Sequence, residues 1–220
     1  NQTISYLRCP HNIKKNLIKF PDDQKLKNNY IKEYLNQHDN VIKQLKLESL
    51  ESVKKIILQA ISQKKNIFTA GNGGSASIAN HLMCDYLKSI KINTRGASKP
   101  KVYSLCNSIE LITAISNDDN YNKIFSFQLE SLANKNDVVI IFSCSGSSKN
   151  IKNLLKNAKR MKCKTIFFSG FKKSKTNTDH LNINLNCNNY GICEDVFSSL
   201  MHAIMQSIVY SKSKNKKIVV

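Results

Sequence analysis

Two helical stretches of this chain carry residues that can move protons or hold a metal ion. His81 and Asp85 stand four apart, so on a helix they share one face. Glu194, Ser198 and His202 follow at i, i+4 and i+8 in the last helical stretch and form one stripe. Each helix then offers a carboxylate and an imidazole. Two histidines with two carboxylates could bind Zn²⁺ or a similar ion. They could equally serve as base and acid in a proton transfer. The plainer alternative makes His202 a hydrogen-bonded core histidine, and Glu194 with Asp195 an acidic first turn that suits the helix dipole.

The stretch that must position His81 runs from Asn66 to Asp85 and reads as strand, glycine loop and helix. Ile67, Phe68 and Ala70 form a short apolar run of buried-strand type. Gly71, Gly73 and Gly74 allow positive φ and close approach to a ligand, and Ser75 is expected to cap the helix that follows. Free N–H groups and the positive dipole end at that point suit an anion, most simply a phosphate. No Lys-Ser/Thr pair follows the glycines, which excludes a Walker A loop. The dinucleotide spacing fails at Ala76. A second loop, Ser143-Cys144-Ser145-Gly146-Ser147-Ser148, follows the apolar run Val138–Phe142. It sets four hydroxyls and a glycine just ahead of a helix, again a set of donors for phosphate oxygens.

The elements around these loops alternate. Residues 25–46 and 48–64 read as two helices, a pair of the kind that packs against another subunit. Strands follow at 66–70, 102–105, 138–142, 165–169 and 181–185. Helices are expected over 75–90, 109–116, 124–133, 149–161 and 192–211. Asn117-Asp118-Asp119-Asn120 reads as a turn, and residues 91–101 and 172–179 as polar loops. This alternation means a parallel sheet covered on both faces, with ligands bound beyond the carboxyl ends of the strands, where both small-residue loops lie. The chain divides into an irregular arm over 1–24, one α/β domain over 25–211 and a basic tail over 212–220.

Composition sets outer limits. At 220 residues and 41% hydrophobic content, one good core is available. No apolar run reaches membrane-spanning length, and Asn1 to Asn12 lack the apolar region of a signal peptide, so a cytoplasmic protein is expected. The seven cysteines make no CxxC pair and read as reduced thiols. The net charge of +19 is read as solvated lysines, since they are spread along the chain without interleaved aromatics, and not as a nucleic-acid or membrane interface. The positive field would still draw in a phosphorylated ligand.

Gly71-Asn72-Gly73-Gly74-Ser75 followed by His81, and Ser143-x-Ser145-Gly146-x-Ser148, resemble the sugar isomerase (SIS) domain. More narrowly, they are similar to its phosphoheptose (sedoheptulose 7-phosphate) isomerase branch. The resemblance runs from about residue 45 to 211 and includes Asn117-Asp118 and Tyr190-Gly191 ahead of helices. It implies a five-stranded parallel sheet flanked by helices, flavodoxin-like and three-layered, in a homotetramer with sites at subunit interfaces. It also implies that Ser75, Ser143, Ser145 and Ser148 hold the phosphate, with Asn72, Gly73, Asn117, Asp118 and Cys144 in the substrate site. Zinc would sit on His81, Asp85, Glu194 and His202. Asp85 or Glu194 would act as base and His202 as acid, in an aldose–ketose isomerisation that feeds a surface polysaccharide. The other readings are a non-catalytic SIS protein that binds a sugar phosphate or a protein partner, and an isomerase of a different phosphosugar. Asp85 stands where the best-known members have Glu, Glu194 where they have Gln, Cys144 where Thr is usual and Phe197 where a further His often lies. Asp for Glu draws the carboxylate back by one methylene, about 1.5 Å.

Overall fold

The computed structural model describes residues 29–171 and 181–212. The arm expected over 1–24, the start of the helix expected from residue 25, the polar loop 172–179 and the tail after Lys212 lie outside the described residues.

Helices α1 (Tyr30–Lys43) and α2 (Leu47–Ser62) precede β1 (Asn66–Ala70). After β1 comes α3 (Gly74–Asp85), which continues through a π-helical turn (Tyr86–Ile90) and a last short turn (Lys91–Asn93). Then follow β2 (Lys101–Ser104), α4 (Ile109–Asp118), α5 (Ile124–Leu132), β3 (Val138–Ser143), α6 (Lys149–Arg160), β4 (Lys164–Ser169), β5 (Leu181–Asn184) and α7 (Tyr190–Lys212). The five strands form one sheet in the order β2-β1-β3-β4-β5, with every pair parallel. The alternation of strands and helices foresaw this sheet. In two places a segment expected as loop or turn is helix. The continuation of α3 consumes residues 91–93, which the sequence reads as loop. Asn117 and Asp118 complete α4 and do not open a turn, because Ile115 and the residues around it keep helical spacing through them.

The period-2 pattern of the central strands sorts the core into two layers. Val138, Ile140 and Phe142 of β3 point to the face covered by α2, α3 and α7, beside Ile166 and Phe168 of β4. Val139, Ile141 and Phe167 point the other way, toward α4, α5 and α6. All six residues of β3 are buried, as a strand covered on both faces requires. Each such side chain contributes about 1.5–3 kcal/mol through its removal from water. Asp137 anchors the entry to β3. It is 1% exposed and accepts from the Asn66 and Asn134 backbone N–H groups and from Asn66 Nδ2, at 3.0, 2.9 and 3.1 Å. By contrast, α1 buries no residue and leaves Ile31 and Leu35 in solvent.

In this strand order the connections from β1 and β3 diverge to opposite sides, which opens a crevice beyond their carboxyl ends. Both glycine-serine loops start there.

Candidate active site

The first loop follows β1. Gly73 takes φ +57° and ψ −126°, a conformation closed to most side chains, and it occupies the cap position of α3. Ser75 is therefore not the cap expected from sequence. It lies inside the first turn, 3% exposed, and its hydroxyl donates to Glu194 Oε1 at 3.3 Å. Gly74 must lack a Cβ for the same reason, since a Cβ there would collide with the Glu194 carboxylate.

The second loop follows β3. Gly146 takes φ +61° and its N–H closes a turn onto the Ser143 carbonyl at 3.2 Å. The Ser147 hydroxyl donates to Ser145 Oγ at 2.9 Å. Ser148 caps α6 without using its own hydroxyl in the cap. Cys144 is 3% exposed, and its thiol faces the underside of the loop, 3.9 Å from Ser75 Oγ and from the Tyr190 carbonyl.

Asn72 and Asn150 join the two loops. Asn72 Nδ2 donates to Asn150 Oδ1 at 3.0 Å, and Asn150 Nδ2 donates back to Asn72 Oδ1 at 2.9 Å. The Tyr121 hydroxyl donates to the same Asn72 oxygen at 3.0 Å, which brings in the connection between α4 and α5. Asn117 and Asp118 hydrogen-bond each other at the exposed end of α4, one connection away. Sequence reasoning missed Asn150 and Tyr121. The available signal was Asn150 itself, a polar residue in the apolar stripe of α6 with Ile151, Leu154, Leu155 and Ala158.

Further along α3, three ligand-type atoms converge. His81 Nε2 and His202 Nε2 each lie 3.3 Å from Asp85 Oδ2, and 3.5 Å from each other. The triangle's edges match the edge of a tetrahedron of Zn–N bonds, about 3.4 Å. Two imidazoles and one carboxylate are also a zinc-type donor set. These residues fit a divalent cation.

The structure brings together three of the four residues expected to hold the metal and sets Glu194 apart. Glu194 and His202 are eight residues apart on α7, about 12 Å along the axis. α7 runs beside α3 in the same direction, so Glu194 meets the start of α3 at Ser75 while His202 meets His81. Phe197, in place of a further histidine, is fully buried against Phe142 and Phe168. The first turn of α7 is held from outside by Tyr34 of α1, whose hydroxyl donates to Asp195 Oδ2 at 2.5 Å. Burial and that carboxylate push the tyrosine's pKa up.

Residues 29–170 match the SIS domain family. The chain is 36% identical over 154 residues to the phosphoheptose isomerase of Aliarcobacter butzleri, which covers 69% of this chain and 80% of that protein. Among solved structures, a phosphoheptose isomerase from Francisella tularensis superposes with a TM-score of 0.75 at 21% identity, over 86% of this chain and 98% of that one. Phosphoheptose isomerase GmhA from Neisseria gonorrhoeae superposes with a TM-score of 0.72 at 23% identity, over 84% and 97% of the two chains. These two share the fold.

Proposed function

The chain belongs to the SIS domain family, in its phosphoheptose isomerase branch, and we propose that it interconverts sedoheptulose 7-phosphate and a heptose 7-phosphate. One observation carries the mechanism. The anion loops and the His81–Asp85–His202 cluster lie at two points of one helix, with Ser75 and His81 about 9 Å apart along α3. An extended seven-carbon phosphosugar spans such a separation, with its phosphate at the loops and its carbonyl end at the cluster.

In this reading Ser143, Ser145 and Ser148 donate to the phosphate, Ser75 joins them by turning its hydroxyl away from Glu194, and Asn72 and Gly73 line the approach to it. Asn117 and Asp118 close the substrate site from α4. Cys144 supports the loop from below. Phosphate binding remote from the reacting carbons positions the other end. Asp85 turns Oδ2 toward the two imidazoles, and Oδ1 is left to take the proton from C1 of the ketose and return it to C2. His202 moves a proton between the two oxygens of the enediol. Glu194, beside Ser75, stands near the phosphate and away from the reacting carbons. His81, Asp85 and His202 would hold a zinc ion, and the ion would supply polarisation of the sugar carbonyl.

Several wider assignments belong to the same proposal. The exposed Ile31 and Leu35 of α1 support a homotetramer. No helix among the described residues is long and apolar enough to cross a membrane, which is compatible with a cytoplasmic enzyme supplying surface polysaccharide synthesis.

The test is an NMR time course with sedoheptulose 7-phosphate, with and without chelator and added Zn²⁺. Conversion that chelator abolishes and zinc restores is the expected result. Binding without conversion under every condition would assign the chain to phosphosugar sensing, and conversion of a different phosphosugar alone would change the substrate.

A further inference from the structure

Three thiols meet beneath the second anion loop, and the proposed isomerisation uses none of them as a reacting group. Cys144 lies in the loop, Cys193 in the first turn of α7 and Cys187 in the connection from β5. Cys193 is fully buried and Cys144 nearly so, while Cys187 is half-buried and is the one that solvent reaches. Cys193 Sγ donates to the Cys187 carbonyl at 3.3 Å, which holds the buried thiol against the residue that carries the second one. Gly170 makes room for this, since a Cβ there would strike Cys193 Sγ and come within 3.0 Å of the Cys144 carbonyl. Hydrogen bonding from Cys193 pulls the Cys187 thiol below its ordinary range, against the opposing effect of burial. A reachable thiol disposed to ionise, beside a buried second thiol, is the arrangement of an oxidisable cysteine with its resolving partner.

We infer that Cys187 and Cys193 form a peroxide-oxidisable dithiol whose closure to a disulfide weakens the anion site. The Cys187 thiolate attacks one oxygen of hydrogen peroxide, the O–O bond breaks, hydroxide leaves, and a sulfenic acid remains on Cys187. The Cys193 sulfur then attacks the Cys187 sulfur, the S–O bond breaks, and the departing hydroxide takes the Cys193 proton as water. Two thiols lose two electrons, and the peroxide is reduced to two waters. Closure draws the sulfurs to bond length, about 2.05 Å. Cys193 must then leave its seat against Gly170 and Cys144. Its chain neighbour Glu194 is bonded to Ser75, so the movement reaches both loops.

The experiment treats reduced full-length protein with a small excess of hydrogen peroxide, blocks free thiols and maps peptides without reductant. Chymotrypsin is the protease to use, because cleavage after Tyr190 separates the two cysteines. The expected product is a Cys187–Cys193 linked pair that dithiothreitol reverses. Cys144→Ser should retain it and Cys187→Ser should abolish it; the map of the unsubstituted protein decides the pairing if either variant fails to fold. Affinity for sedoheptulose 7-phosphate should fall about tenfold on oxidation, the equivalent of one lost charge-assisted hydrogen bond, and return on reduction. A Cys144–Cys193 link, over-oxidation of Cys187 with Cys193 still open to alkylation, or a disulfide that leaves affinity unchanged would each overturn the inference. The affinity arm rests on the isomerase reading. Reduced protein that does not bind the sugar phosphate would count against that reading alone, and inorganic phosphate then serves as the probe.

Discussion

Asn72 and Asn150 exchange two hydrogen bonds, 3.0 and 2.9 Å, and so fasten the loop after β1 to the helix that follows the loop after β3. Asn150 is 2% exposed, and its Oδ1 also accepts from the Ile151 N–H, so its orientation is set from within α6. The pair orients the Asn72 amide and leaves one of its two Nδ2 hydrogens for a ligand.

Removing the tie should loosen phosphate binding more than it slows chemistry. Asn150→Ala is expected to raise KM for the sugar phosphate about tenfold with kcat within about threefold, from the loss of an oriented donor. The double variant with Asn72→Ala should be no worse than the worse single, because both remove one unit. Steady-state kinetics on the four proteins check this, and additive losses would separate the two residues. Tyr121→Phe removes one of two donors to Asn72 Oδ1 and should give a smaller KM effect of the same sign.

The cluster on α3 and α7 makes a prediction about metal content as well as rate. Asp85→Asn keeps the shape of the side chain and removes the base, so turnover should fall by roughly 10²–10⁴. Zinc retained after dialysis should drop in the same protein, because the carboxylate oxygen 3.3 Å from both imidazole nitrogens is lost as an anionic ligand. Metal analysis and turnover on one sample check both. A variant that loses zinc and keeps full turnover would place the base elsewhere.

How much of this was readable in the residues differs from part to part. The sheet was legible because Val138–Phe142 is apolar without interruption, and small-residue loops follow two strands. The i, i+4 and i, i+8 spacings did bring His81, Asp85 and His202 together. The same spacing did not foresee that the Glu194 carboxylate meets Ser75, because a helical stripe fixes which face a side chain leaves from and not how far along the axis its head reaches. Ser75 was mistaken for the cap because serine is a good capping residue; the positive φ of Gly73 moves the helix start back. The Asn72–Asn150 tie joins residues 78 apart in sequence, and no local pattern encodes such a contact.

Asp137 is a buried carboxylate with a structural task. Three donors converge on it, two of them backbone N–H groups, at the point where the central strand begins. Asp137→Ala leaves those donors without acceptors, and the expected cost is about 3 kcal/mol. For a chain of this size that lowers Tm by roughly 10 °C. Thermal unfolding followed by circular dichroism measures it. Affinity for the sugar phosphate in the folded fraction should be unchanged, since Asp137 sits at the end of β3 remote from the loops.

Glu194 offers the sharpest separation of roles. Its carboxylate lies at the start of α3, against Gly74 and hydrogen-bonded to Ser75, where the phosphate of the substrate is proposed to bind. A fixed negative charge there opposes a phosphate dianion, although it is favoured by the helix dipole. Glu194→Gln removes the charge and keeps an oxygen that can accept from the Ser75 hydroxyl. KM for the sugar phosphate should therefore fall, by about three- to tenfold for a charge pair partly screened by water. The gain should shrink as ionic strength rises. If Asp85 is the base, kcat stays within about threefold, because the removed group is a full α3 turn and more from the reacting carbons. A roughly hundredfold or greater loss of turnover, with KM unchanged, would instead make Glu194 the base and place the sugar carbonyl at the Ser75 end of the helix.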